Sequence, residues 1–217
     1  MCAVSKVCHK RYSFDRYAFI AELTKVCHKW HTFDMTYYDR IYEQAVDNNG
    51  LITATEARAL GVPNADLVKI ARRGKLIRAG HGVYRLTHYV PTELDRYAEA
   101  AALVGSDAYI YGESVLAMFD LALVNPRKVK IATPARLRKK LPSYIAVVPA
   151  KAGTEVTRYS GVPSQSVADA FRTSQTTVMT ERLLPAIEDA RIQGLVSEKE
   201  AKELTKEIKG ARKNTTK

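Results

Sequence analysis

The chain has 217 residues, of which 46% are hydrophobic, and its formal net charge is +11. That allows one large or two small domains with packed cores, and the excess of positive charge favours a polyanionic partner: nucleic acid, an acidic protein or a membrane surface. No apolar run approaches the roughly 18 residues of a transmembrane helix, and no signal-peptide core opens the chain, so the sequence points to a cytoplasmic protein that neither spans a membrane nor is secreted.

The first 34 residues stand apart from the rest. KVCHKRYSFD at residues 6–15 returns as KVCHKWHTFD at residues 25–34. The cysteines, Cys2, Cys8 and Cys27, are confined to this stretch, which suits a reducing compartment and gives no disulfide framework. Each copy holds a Cys-His pair, Cys8-His9 and Cys27-His28. Neighbouring side chains point apart, whereas structural zinc sites space paired ligands by about two to four residues, so neither a metal nor another cofactor is expected. Residues 1–34 read as a non-native or disordered leader carrying a short duplication, with the folded protein starting at Met35.

Residues 36–48 predict a helix, because Tyr38, Ile41, Tyr42 and Ala45 recur at three- and four-residue spacing. Asn48-Asn49-Gly50 ends it. Thr53 then opens an amphipathic helix with Ala57 and Leu60 on one side, stopped by Gly61. Pro63 and Asn64 open another, whose apolar positions are Leu67, Val68 and Ala71 with Ile70 at the edge, and Gly74 ends it. The runs Leu76-Ile77 and Val83-Tyr84 flank a tight turn at Gly80-His81-Gly82, where glycine supplies positive φ. Two helices joined by a short turn and followed by a β-ribbon have the layout of a winged helix-turn-helix, which places one helix in a DNA groove. Between residues 67 and 92 there is no Asp or Glu. The candidate contacts to double-stranded DNA are Asn64, Lys69, Arg72, Arg73 and Lys75 around the second motif helix, with Arg78, Arg85 and the turn residue His81 from the ribbon.

His88-Tyr89-Val90-Pro91 marks a boundary, dividing a module at residues 35–90 from a second domain at 91–213. Thr92, with Asp95 completing a capping box, leads a helix with Leu94, Tyr97, Ala98, Ala101 and Leu103 as its apolar set. Tyr109-Ile110 is a short apolar run, and Gly112-Glu113-Ser114 opens a helix reaching Leu121. Three β-like runs follow at residues 129–132, 144–148 and 155–159, then helices at 165–172, 180–193 and 197–212. Ser197 and Glu200 cap the last, along which Ala201, Leu204 and Ile208 form a narrow stripe, and residues 214–217 should fray. The fold class expected is α+β: a winged helix-turn-helix, then a mixed α/β domain with a small sheet and terminal helices.

The second domain has its own acid-free tract at residues 121–154, containing Arg127, Lys128, Lys130, Arg136, Arg138, Lys139, Lys140 and Lys151. It is either a surface for a polyanion or partner, or a solvated loop. No catalytic set is apparent. There is no phosphate-cradling glycine loop, no Gly-x-Ser-x-Gly elbow and no His-Glu-x-x-His, and Gly112-Glu113-Ser114 lacks the Asp-x-Asp that nucleotidyl transfer would need.

The residues Gly50, Ile52, Thr53, Ala57, Leu60, Gly61, Leu67, Arg73, Gly74, Lys75, Leu76, Ile77, Arg78, Gly82, Val83 and Tyr84 form a pattern that resembles the N-terminal domain of AbiEi-type antitoxins. The resemblance continues more loosely to about Lys209. It implies the antitoxin and autorepressor half of a type IV toxin–antitoxin system, not an enzyme. It also implies an operator as the DNA partner and a nucleotidyltransferase-like toxin as the functional one, opposed without a tight complex. A stand-alone winged-helix regulator and a nuclease carrying this module are the alternatives.

Overall fold

The structure is a computed structural model describing residues 36–151 and 153–215. The duplicated segments, with Cys8, His9, Cys27 and His28, lie outside the described residues.

Helix α1 (Tyr37–Asp47) forms on the stripe of Ile41 and Ala45, both fully buried. The chain leaves it through Asn49 and Gly50, both at positive φ. Only glycine fits the second position, since a Cβ at Gly50 would stand 2.3 Å from Tyr89 Cγ. Strand β1 (Leu51–Thr53), for which the sequence gives no signal, runs into Thr53. Thr53 caps α2 (Ala54–Ala59): Glu56 N donates to Thr53 Oγ1 at 3.1 Å and Thr53 N donates to Glu56 Oε2 at 2.8 Å. A turn at Gly61 leads to α3 (Asn64–Arg72).

Helix α3 buries Leu67 and Ile70 with Ala71 beside them, while Val68, expected among its apolar positions, is exposed. At about 100° per residue a stripe through 67, 70 and 71 leaves position 68 off the inner face. Strands β2 (Leu76–Gly80) and β3 (Val83–Leu86) form a hairpin about His81-Gly82, with a bulge between Arg78 and Gly80. With β1 they make an antiparallel sheet of order β1-β3-β2. Side chains alternate across its strands. Ile52, Leu76, Tyr84 and Leu86 therefore join Ile41, Ala45, Leu67 and Ile70 in a small core. Leu51 and Val83 turn the other way, into a larger one.

That larger core belongs to α4 (Asp95–Val104), β4 (Tyr109–Ile110), α5 (Glu113–Met118), β5 (Val129–Thr133), β6 (Ile145–Pro149), β7 (Val156–Tyr159), β8 (Val162–Gln165), α6 (Val167–Ser174), α7 (Thr180–Ile192) and α8 (Glu198–Thr215). The strands form a mixed sheet of order β6-β5-β4-β8-β7, in which β5 and β6, and β4 and β8, run parallel. Phe171, Ile131, Leu183, Ile187 and Leu204 fill it, all fully buried.

Four boundaries differ from expectation. Helix α4 starts at Asp95, because Thr92 Oγ1 donates to Asp95 Oδ1 at 2.8 Å rather than capping a backbone N–H, and a turn occupies the intervening residues. Helix α5 ends at Met118, and the chain turns at Asp120, Ala122 and Leu123 with positive φ. Strand β8 stands where a helix is expected to begin: Ser160 and Gly161, both at positive φ, fold β7 back on β8, and Ser166 caps α6, accepting from Asp169 N at 3.2 Å. Helix α8 continues to Thr215, past the expected onset of fraying. The described protein is thus mixed α+β, with two small sheets and a helix-turn-helix-like N-terminal region.

Candidate nucleic-acid interface

Burial of Leu67 and Ile70 pins α3 to the small core and turns Asn64, Lys69, Arg72 and Arg73 to solvent. Arg72 and Arg73 lie at the C-terminal end of the helix, where the partial negative charge of unpaired carbonyls favours cations. Lys69 Nζ meets Asp66 Oδ1 at 2.9 Å, an acid just outside the acid-free run. The pair is exposed, so it holds the lysine weakly and leaves it free to exchange partners.

Lys75 Nζ lies 4.6 Å from the centre of the Tyr38 ring, a cation–π contact that ties it to α1. Arg78 is exposed, and its Nε donates to Gly80 O at 3.2 Å. His81 is exposed at the hairpin turn. Asn64, Lys69, Arg72, Arg73, Lys75, Arg78 and His81 are thus all presented to solvent by α3 and the hairpin.

Arg85 is not. In register opposite Leu51 on the face that enters the larger core, it points toward α4. Its Nη2 donates to Glu99 Oε2 at 2.6 Å and stands 4.0 Å from Asp95 Oδ2. Tyr144 Oη donates to Glu99 Oε1 at 2.9 Å, so one carboxylate ties β3, α4 and the start of β6 together. Burial pushes the Tyr144 phenol above its ordinary range and the bond to Glu99 adds to it, keeping the hydroxyl a neutral donor. Arg85, expected as a ribbon contact to DNA, is therefore half-buried and paired with Glu99, with 26% of its side chain exposed. The same face carries a close approach of backbone to side chain, where a Cβ at Gly80 would stand 2.3 Å from Leu103 Cδ2.

The second basic tract is divided as well. Lys130 Nζ pairs with Glu113 Oε1 at 3.0 Å. Arg127 and Lys128 are exposed just before β5. Arg136, Arg138, Lys139 and Lys140 are exposed on the crossover joining the parallel strands β5 and β6. This segment is anchored rather than loose, since Leu137, Leu141 and Tyr144 pack against the larger core. Lys139 and Lys140 share a crevice with Gly80, His81 and Leu103.

Ser114 and its neighbours are structural ties. Ser114 Oγ accepts from Lys130 N at 2.8 Å, and Gly112 N donates to Gln165 Oε1 at 3.0 Å. Among the described residues no group of three or more His, Cys, Asp and Glu is placed to hold a metal ion, and no helix is long and apolar enough to cross a membrane. The residues sequence reasoning missed are Glu99 and Tyr144. Glu99 does leave a trace, an acid inside the apolar stretch YAEAAALV, where a carboxylate needs a partner.

The exposed cations of α3 and the hairpin fall within the stretch that a comparison with known families matches. Residues 39–87 match the family model of the transcriptional regulator AbiEi antitoxin. The match begins within α1 and ends just past β3. It therefore contains every exposed cation of α3 and the hairpin and stops before the second sheet. The matched family is one of antitoxins that regulate transcription. No curated protein matches the chain.

Proposed function

We propose that residues 35–90 form a winged helix-turn-helix in which α3 is the recognition helix and the β2–β3 hairpin the wing, and that it binds double-stranded operator DNA near its own promoter. Arg72 and Arg73, exposed at the end of a helix whose other side is packed, are the observation that carries this reading. Lys69, Lys75, Arg78 and His81 supply phosphate contacts around them, and Asn64 stands at the helix start. Phosphate contacts give affinity and register, while side chains in the major groove select the sequence. Residues 91–213 form the antitoxin domain of a cytoplasmic type IV system. It opposes a nucleotidyltransferase-like toxin without a tight complex or catalysis of its own. Arg127 and Lys128 are the cations of that domain left exposed before β5.

A gel-shift titration with the promoter region upstream of its own gene tests the first half. Wild type should form a discrete complex, and Arg72→Ala/Arg73→Ala should lose it. Equal binding by the two would overturn the reading. Co-expression with the neighbouring reading frame tests the second half, through rescue of growth. Regulation without a toxin is the second reading, favoured by a family match that ends at residue 87, and the absence of any toxic neighbouring product would select it.

A further inference from the structure

We infer that the DNA-contacting surface continues from the hairpin onto the β5–β6 crossover of the second domain, with Lys139 and Lys140 gripping the phosphate backbone of the duplex that α3 reads, an inference that rests on the reading just given.

Three observations carry it. The first is place. Lys139 and Lys140 line one crevice with Gly80 and His81, and Lys139 lines a second with His81 and Arg158. The turn of the hairpin and the crossover are thus neighbours in space, although far apart in sequence. The second is charge. The first crevice has no carboxylate among its lining residues, and the single one lining the second, Glu56, already accepts from Thr53 N and Thr53 Oγ1 at 2.8 and 2.9 Å. Among the described residues neither lysine is in an ion pair, whereas Lys69, Lys130 and Arg85 all are. The third is mounting. Leu137 and Leu141 anchor the crossover in the larger core, and the approach of Gly80 to Leu103 holds the hairpin turn against α4. A backbone of regularly spaced negative charge is the polyanion that two adjacent unpaired lysines beside the hairpin turn fit.

The test uses the full chain and a duplex of the promoter region, with binding measured across a range of salt concentrations. Each phosphate contact contributes about 0.9 to the slope of log affinity against log salt. Lys139→Ala/Lys140→Ala should retain specific binding with a slope reduced by about 1.8, twice that value. Lys139→Arg/Lys140→Arg should restore the slope, showing that charge rather than shape is at work. An unchanged slope in the alanine pair, while Arg72→Ala/Arg73→Ala loses binding, overturns this inference and leaves the recognition helix standing. Unchanged binding in both variants overturns both. If the alanine pair keeps the wild-type slope but no longer rescues cells from the neighbouring toxin, the inference is likewise overturned and the patch belongs to a protein partner.

Discussion

Residues 67–92 and 121–154 are both free of acids and rich in Lys and Arg, yet they meet solvent in different ways. Each loses a cation to a carboxylate elsewhere, Arg85 to Glu99 and Lys130 to Glu113. What remains of the first run stands on α3 and β2, whose origins are set by backbone hydrogen bonds and by buried Leu67, Ile70 and Leu76. What remains of the second stands mainly on a crossover without regular structure, held by two half-buried leucines. A bidentate contact to a base edge tolerates little displacement, so it needs the first kind of mounting, whereas a phosphate accepts a cation over a broad range of positions and suits the second. Charge counted along a chain is therefore a poor measure of charge presented to a partner.

That contrast can be broken most directly at α3. Arg72→Ala and Arg73→Ala should each weaken operator binding by about 1–3 kcal/mol, measured by titration, while binding to unrelated duplex changes far less. Equal losses on both DNAs would show that this run is also only a phosphate grip. A comparable change is expected at Glu99. Glu99→Ala removes the acceptor of Arg85 and of Tyr144 and should lower folding stability by about 1–3 kcal/mol, read by urea denaturation.

The same cluster carries a pH signature. The Tyr144 phenol is raised above its ordinary 10.0 in the folded state, first by burial and then by Glu99. Its contribution is therefore fully present below pH 10.0 and is lost as pH rises beyond it. Tyr144→Phe should flatten that alkaline loss, and an unaltered alkaline limb would place the titration elsewhere.

The two arginines of the hairpin sharpen the comparison further. Arg78→Ala should reduce the salt slope of DNA binding by about 0.9, while Arg85→Ala should leave the slope alone and cost stability instead. A slope change at Arg85 would mean that the seam opens on DNA. The smallest effect is expected at Lys130, where Lys130→Ala should leave DNA affinity untouched and shift stability by no more than about 1 kcal/mol, the scale of a partly exposed ion pair.

Much of the first sheet's surroundings was legible in the sequence. Helical spacing located α1 and α3, and glycine punctuation located the hairpin, because both signals are local. Strand β1 was not legible, since three residues are too few for an alternation to show and what makes Leu51–Thr53 a strand is its pairing with β3, far along the chain. Strand β8 was masked by Pro163 and by its polar residues Ser164 and Gln165, which read as the approach to a helix. Arg85 illustrates the remaining gap. Its place on a basic ribbon was clear, but the face it points from is decided by strand parity, and the carboxylates that capture it lie on another element. The exposed cations of α3 were predictable for the opposite reason: one helix face fixes what the other presents.

Leu51 and Val83 leave the three-stranded sheet on the side of the larger core, so this sheet is packed against the elements that follow it rather than tethered to them. The consequence is one of effective concentration. A cationic segment on a flexible tether would have to find the duplex anew after α3 had docked, giving up chain entropy at each encounter. If the proposed contacts form, a crossover already held beside the hairpin would meet the backbone at a high local concentration with little further ordering. Two modest contacts can then add as avidity, and one loosened side chain in the packed seam would weaken both.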